Sequence, residues 1–332
     1  MLRILHDTKI DFIKSWRIAL GITAAFIAVG LIALVLHGGL NRSIEFTGGT
    51  LIQVEFAKRP DVGVIRSTVD GAGFAGSEIQ QFGSDTSFTI RAATHRAAAG
   101  APVENTAAVI QRALEAKFGK SAVHIARTES VSARVGDEFS RNAMLAILIS
   151  LGITLVYLAF RFEWRFGVAA VIATAHDLLS TLAFLAIMRL EVSLTVVAAL
   201  LTVIGYSLND TIIIFDRVRE NMKKARPEPL YDVLNRSINE TLPRSVLTHV
   251  TVAAATLSLL LFAGEVIRPF SWIMLFGIVT GTFSSIYIAA PVLLWVEQRW
   301  PRTKGGKEGP STRSASAPPP RPSSPRTPVG AR

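Results

Sequence analysis

The chain has no cysteine, which excludes disulfide staples, thiolate nucleophiles and thiolate-bound metals. Charge is scarce as well. Asp, Glu, Lys and Arg make up 18% of the 332 residues, against roughly 25% in an ordinary soluble domain. The usual catalytic kits are missing too. No two histidines have zinc-ligand spacing, and no Ser/His/Asp elbow occurs. Gly119-Lys120-Ser121 superficially ends a phosphate loop, but that motif needs glycine five residues earlier, where Leu114 stands. No covalent catalysis, no cofactor and no metal site are expected. Asn41-Arg42-Ser43 fits a glycosylation sequon and is read as an accident.

Apolar sequence is what the chain has instead: half its residues are hydrophobic, and its mean hydropathy is +0.40. Runs of about 17–25 apolar residues are long enough to cross a bilayer as helices. The first lies at 18–36, behind Lys14, Trp16 and Arg17. It exceeds the roughly 7–15 residues of a signal-peptide core, so it is read as an uncleaved anchor. Five more follow at 143–160, 166–188, 193–215, 246–263 and 271–296, with short connections except for 216–245. The implied layout is an N-terminal segment (1–17), a membrane helix (18–38), an extramembrane domain (39–135), a five-helix block (136–298) and a tail (299–332). The tail is rich in Pro, Ser and Arg around Pro318-Pro319-Pro320; it cannot bury a core and is expected to be disordered.

Basic residues accumulate on the cytoplasmic side of short loops. With the N-terminus inside, that side holds Arg3, Lys9, Lys14, Arg17, Arg161, Arg165, Arg217, Arg219, Lys223, Lys224, Arg226, Arg236, Arg244 and the tail. The short external loops hold only Arg189 and Arg268. The net charge of +10 is thereby assigned to topology and anionic lipid headgroups, with no role for nucleic acid. The domain between the first two spans then lies outside the cytosol. It reads as strand 49–56, helix 61–71 capped by Asp61, strands 78–82 and 87–92 around Gly83-Ser84-Asp85, helix 105–118 and strand 122–128. The order βαββαβ is that of a small α+β ferredoxin-like sandwich. The expected fold class is thus a multi-pass α-helical membrane protein of six transmembrane helices carrying that domain.

Ionisable side chains inside membrane helices cost about 2.5–3.5 kcal/mol each on insertion scales, so each needs a reason. The third span carries His176-Asp177, with Ser180 and Thr181 a turn later; it is read as a buried structural pair, with a relay role as the alternative. The fourth carries Gly205-Tyr206-Ser207-Leu208-Asn209-Asp210-Thr211. At the fifth, Thr241, Arg244, Thr248 and Thr251 share one face by their 3-4-3 spacing, and His249 points elsewhere. Antiparallel packing of these two spans brings Asp210 and Arg244 to similar depth. A small displacement between them would change the aspartate's proton affinity, as a proton-coupled machine requires. Two plainer readings stay open: Arg244 as an ordinary loop charge, and Asp210 as the partner of a local arginine. Asp216 with Arg217 and Arg219 reads as a solvated helix end. In the sixth span Gly277, Gly281, Ser285 and Ala289 recur every fourth residue, a ladder that permits close helix contact, and Pro291 is expected to bend it.

These motifs together resemble the SecD/SecF family of the RND superfamily. Ser43-Ile44-Glu45-Phe46-Thr47-Gly48-Gly49-Thr50 resembles its D-F-x-G-G-T signature through Glu45, Phe46, Gly48 and Gly49, and residues 205–211 resemble G-Y-S-[IL]-N-D-[ST]. Glu240-Thr241-Leu242-Pro243-Arg244-Ser245 is similar to T-L-x-R-[TS], and Gly281-Thr282-Phe283-Ser284-Ser285-Ile286-Tyr287 to G-T-x-S-S-[IV]-[YF]. The small external domain and Asn209 suit the SecF branch. The resemblance implies a bacterial inner-membrane location, a SecD partner, the SecYEG channel, YajC and YidC as candidate neighbours, and preprotein export driven by the proton-motive force. It also implies that Asp210 and Arg244 relay protons. Glu45 stands where aspartate is usual, and His249 where serine is frequent; a hydrogen bond to a neighbouring helix is the plainer role for His249. The rival readings are an RND-type small-molecule exporter and a non-conducting scaffold.

Overall fold

The computed structural model describes residues 8–92, 105–224 and 228–301. The expected disordered tail falls almost wholly outside them, as do Arg3 and Arg226.

A long helix, α1 (Trp16–Leu36), leads into a single short turn, α2 (Ile44–Thr47), and then into β1 (Gly49–Phe56). The extramembrane domain continues through α3 (Val62–Gly71), β2 (Glu78–Gln81), β3 (Ser87–Ala92), α4 (Asn105–Phe118) and β4 (Val123–Val131). The four strands form one antiparallel sheet in the order β2-β3-β1-β4, which is the ferredoxin-like arrangement that the βαββαβ order predicts. Alternation along β1 turns Ile52, Val54 and Phe56 inward. They meet Ile65 and Val69 of α3 and Ile110 and Leu114 of α4 in a single apolar layer. The Asp61 carboxylate accepts from the Gly63 amide at 2.7 Å, the helix cap its sequence position suggests.

Beyond the domain run α5 (Ala133–Arg161), α6 (Trp164–Met188), α7 (Leu194–Lys224), α8 (Leu230–Phe262) and α9 (Arg268–Ser284). A π-helical turn, Ser285–Ala289, joins α9 to α10 (Ala290–Arg299). Six helical stretches are long and apolar enough to span a membrane, α9 to α10 counting as one. They divide into two layers. The apolar windows of α6, α7 and α9–α10 are 50%, 56% and 67% buried, whereas those of α1, α5 and α8 are 11%, 6% and 11% buried. The first three therefore form the centre of the bundle. Small residues permit close approach both across and within the layers: a Cβ on Gly30 of α1 would overlap Ala183 of α6, and one on Gly277 of α9 would overlap Val203 of α7 inside the centre.

The helices run further than hydropathy suggests. Most of the connection expected at 216–245 is helical: α7 continues to Lys224 and α8 starts at Leu230. Likewise α5 starts at Ala133, ten residues before its apolar run. Hydropathy marks only the ~20 residues that cross about 30 Å of hydrocarbon. A helix as long as α8, with 33 residues, reaches about 50 Å. The π-helical turn, Ser285–Ala289, ends two residues before Pro291, the residue expected to bend this span.

The N-terminal segment is laced to the first turns of α8. Tyr231 Oη donates to both oxygens of Asp11 (2.6 and 2.8 Å), and the Asn235 amide donates to Asp11 Oδ1 at 2.8 Å. The Asn239 side chain accepts from the Ile10 N–H and donates to the Ile10 carbonyl, at 3.0 and 2.8 Å. Positions 231, 235 and 239 recur every fourth residue, so one helix face makes all of these bonds.

Candidate functional site

The centre of the bundle is a seam of hydrogen-bonded polar side chains. Asp177 is 1% exposed. Its Oδ2 accepts from Ser284 of α9 at 2.7 Å and from Ser207 of α7, and its Oδ1 lies 3.1 Å from His176 Nδ1. One carboxylate therefore ties three helices. Next to this tie Thr211 of α7 and Ser285 share a 2.7 Å hydrogen bond. The two adjacent serines, 284 and 285, reach different helices from the point where α9 gives way to the π-helical turn. Ser180 Oγ and His176 Nε2 are buried with no partner among the described residues, while Thr181 Oγ1 donates to the Asp177 carbonyl at 2.7 Å.

Asp210 lies in the same helix as Ser207 and is 3% exposed. Ser245 of α8 donates to its Oδ1 at 2.5 Å, and its Oδ2 has no partner among the described residues. The structure thus joins α7 and α8 through Asp210 and Ser245. Arg244, the residue before, is exposed, and no ion pair joins it to Asp210 among the described residues. Successive helical residues are about 100° apart, so Ser245 faces inward and its neighbour does not. The face that Thr241, Arg244, Thr248 and Thr251 share on α8 is unequally covered: Thr241 is buried and the other three are exposed, and all three threonines donate to carbonyls of their own helix. Asn209 is exposed as well. His249 shares a 2.7 Å hydrogen bond with Thr282 of α9, and its ring centroid lies 5.3 Å from that of Tyr206. Asp216 pairs with Arg161 at the end of α5 (2.6 Å) and Arg217 with Glu240 of α8 (2.6 Å); the solvated helix end expected here is instead a half-buried, cross-linked stretch about two turns before α7 ends at Lys224.

The Glu45–Gly49 junction has its own geometry. Gly48 and Gly49 have φ of +69° and +134°, values at which an L side chain is strained. Space forbids side chains there too: a Cβ on Gly48 would lie 2.9 Å from Ala133 Cα, and one on Gly49 2.8 Å from the Ala92 carbonyl oxygen. The paired glycines let the turn press against the start of α5, where Ser140 Oγ donates to the Phe46 carbonyl at 3.3 Å. Glu45 Oε2 accepts from the Leu194 amide at 2.6 Å.

The motif residues therefore gather in two places, the seam and this junction, and both are matched by family models. The model for "Protein export membrane protein SecD/SecF, C-terminal" matches residues 110–299, and that for the "SecD/SecF GG Motif" matches residues 33–58. The chain belongs to the SecD/SecF family. Within the family it is similar to the protein translocase subunit SecF of Gemmatimonas aurantiaca, 57% identical over 96% of each chain. Against SecF of Vibrio alginolyticus it is 40% identical, over 89% of this chain and 92% of the relative. Among solved structures it resembles SecDF of Thermus thermophilus, described as a translocon-associated membrane protein. That match has 34% identity and a TM-score of 0.79, and it covers 90% of this chain. A SecDF structure in the super-membrane-facing form gives 34% identity and a TM-score of 0.63 over 89% of this chain. The chain spans 40% of the length of each of those SecDF chains.

Three contacts of this SecD/SecF family member escape a reading of sequence. Ser245 is the hydrogen-bond partner of Asp210, Ser207 and Ser284 converge on Asp177, and Glu45 caps α7. Each serine lies inside a family motif already singled out, which is the one signal that pointed to them. The N-terminal lacing had a fainter signal, the polar residues at 231, 235 and 239 in a stretch read as a loop.

Proposed function

We propose that this chain is the SecF-type half of a two-part membrane machine. It works with SecD beside the SecYEG channel, with YajC and YidC as further neighbours, to draw preproteins outward across the bacterial inner membrane. In this reading both termini are cytoplasmic, the sandwich domain is periplasmic, and the work is mechanical, with no covalent step.

One observation carries the partner half of the reading. On α7 the residues Thr195, Ala198, Thr202, Gly205 and Asn209 form an uncovered stripe at 3-4-3-4 spacing, and on α8 Arg244, Thr248 and Thr251 are uncovered too. Small and polar residues of this kind favour helix–helix contact over lipid, and an arginine facing hydrocarbon is costly. A second helix bundle laid against α7 and α8 covers both stripes. SecF relatives and the SecDF likeness favour SecD as that bundle.

The proton half rests on Asp210. Its free Oδ2 has no competing partner to displace, so a proton can be taken up there without breaking the Ser245 bond. Gaining or losing that charge changes how α7 and α8 attract each other and the uncovered Arg244. About 2.3 kcal/mol per elementary charge per 100 mV is available from the membrane potential, enough to bias a two-state bundle. The test is export of a reporter preprotein in cells whose own copy is replaced by wild type or Asp210→Asn, with SecD co-purification measured alongside. Normal assembly with export and its gradient dependence lost is the expected result. Normal assembly with normal export refutes the relay and leaves a scaffold.

A further inference from the structure

The seam and the sandwich domain lie at different depths, and something must connect them if a proton at Asp210 is to move the domain. Asp210 is sixteen residues from Leu194 in the same unbroken helix, or about 24 Å. Among the described hydrogen bonds, the one that joins the first turn of α7 to the domain side of the chain is that from the Leu194 amide to Glu45 Oε2, at 2.6 Å. A helix N-terminus presents unpaired N–H groups and a partial positive charge, so a carboxylate is a strong acceptor there. The sheet itself stands off from α7: a cavity of about 220 Å³ lies between Leu51, Gln53 and Thr89 of the sheet and Ser193 and Thr195 at the head of α7, and Glu45 lines it. Beside the Glu45 bond, Phe46 shares an apolar cluster with Val196 and Val197 of α7, a non-directional contact that lets the helix slide where the hydrogen bond does not.

Glu45 is itself firmly held. Its backbone N–H donates to Ser43 Oγ at 3.3 Å, and α2 is pinned to α5 through Phe46 and Ser140. Four residues on, Gly49 begins β1, which lies between β3 and β4 in the sheet. The α6–α7 loop is tied down separately. The Val192 N–H donates to the Asn41 carbonyl at 2.7 Å, the Ser43 N–H to the Val192 carbonyl at 2.9 Å, and Arg91 pairs with Glu191 at 2.7 Å. Those contacts hold the pivot; the bond to Glu45 holds the moving helix.

We infer that Glu45 is the positioning residue through which displacement of α7 reaches the extramembrane domain, by gripping the helix at its first amide. The inference rests on the proton-coupled reading above, and its test separates the two. The absence of native cysteine allows clean spin-label pairs in the full chain, reconstituted with SecD in liposomes. One pair, Lys223→Cys with Gln298→Cys, reports α7 within the bundle. The other, Ser67→Cys with Ala263→Cys, reports the domain against the bundle. Distances are read by pulsed electron paramagnetic resonance before and after acidification of the domain side.

In the wild-type background both distances are expected to shift. Glu45→Ala is expected to leave the bundle shift intact and abolish the domain shift, and Glu45→Asp, the residue usual in the family, to restore it. Leu194→Pro breaks the same bond from the other side, since proline is well accommodated at the first helical position but has no N–H. It is expected to behave like Glu45→Ala and serves if that variant fails to assemble. A domain shift that survives both variants overturns the inference. So does a wild-type bundle shift that the domain does not follow. A wild-type bundle that does not respond to acidification overturns the proton-coupled reading and this inference with it.

Discussion

Replacing Asp177 by alanine removes a side chain of α6 that is bonded to α7 and to α9 at once. Ser207, Ser284 and His176 each lose their carboxylate contact, and at 1% exposure no water replaces it. Side-chain hydrogen bonds between membrane helices average about 0.6 kcal/mol and reach about 1.7 kcal/mol. The two contacts that cross between helices, to Ser207 and Ser284, give an expected loss of about 1–3.5 kcal/mol for Asp177→Ala. Asp177→Asn keeps an oxygen that can accept from both serines while its NH₂ turns to His176, so its loss is expected to stay near or below 1 kcal/mol. Reversible unfolding in mixed micelles measures both. If Asp177→Ala falls within about 0.5 kcal/mol of wild type, the size of an ordinary surface substitution, the carboxylate is not the tie described here. Equal losses for the two variants would refute the assignment of the contacts.

Other perturbations have equally definite outcomes. Gly281→Leu forces a side chain where even a Cβ would lie 2.9 Å from Ser207 Cβ, so it is expected to lower the melting temperature through overpacking of about 1–3 kcal/mol or more. Gly152→Leu, at a position with nothing within 4 Å of an added Cβ, is the matched control and is expected not to lower the melting temperature. Burial pushes the Glu191 carboxyl up against the opposing pull of Arg91. A folded-state value above the unfolded one contributes stability at low pH that is lost as pH rises through it. Glu191→Gln is therefore expected to be more stable than wild type at neutral pH and equal to it in acid, as followed by melting temperature against pH. Asp11 shifts the other way, held below the ordinary carboxylate range chiefly by the Tyr231 hydrogen bond. Its contribution is present above that range and lost as pH falls through the depressed value, so the protection of the Ile10 and Ile13 amides, their exchange relative to an unfolded peptide at the same pH, is expected to fall in acid. Asp11→Asn is expected to show the same loss of protection at neutral pH.

Much of this architecture could be read from residue types alone because two strong solvents wrote it. Lipid selects long apolar runs, which gave the six spans, and half-buried strands alternate, which gave the βαββαβ order. The same logic explains the errors at 216–245 and 133–142, where helices continue past the lipid and hydropathy has nothing to register. Depth along a helix is legible from counting, which puts Asp210 and Arg244 at similar depth, and the Asp210–Ser245 bond lies one residue from that position. Which neighbour turns inward is a matter of 100° of rotation, fixed by packing against α7, and Ser245 takes the contact that Arg244 was expected to make. Contacts such as Glu45 to Leu194, 149 residues apart, leave no local trace at all. A carboxylate beside two glycines reads equally well as a turn, and only the folded chain reveals the helix end it serves.

The lacing of the N-terminal segment has a consequence in time. Asp11 and Tyr231 are 220 residues apart in the chain, and synthesis proceeds at about 5–20 residues per second, so roughly 10–45 s separate the appearance of the two halves. During that interval α1 has neither Tyr231, Asn235 nor Asn239 to hold its leading end, and only lipid and, once made, α6 to lean on. Closure becomes possible only after the first turns of α8 have left the ribosome, yet before α9 is made. The lace can therefore close ahead of the seam bonds that Ser284 and Ser285 make, so the ends of the bundle are fastened before its centre.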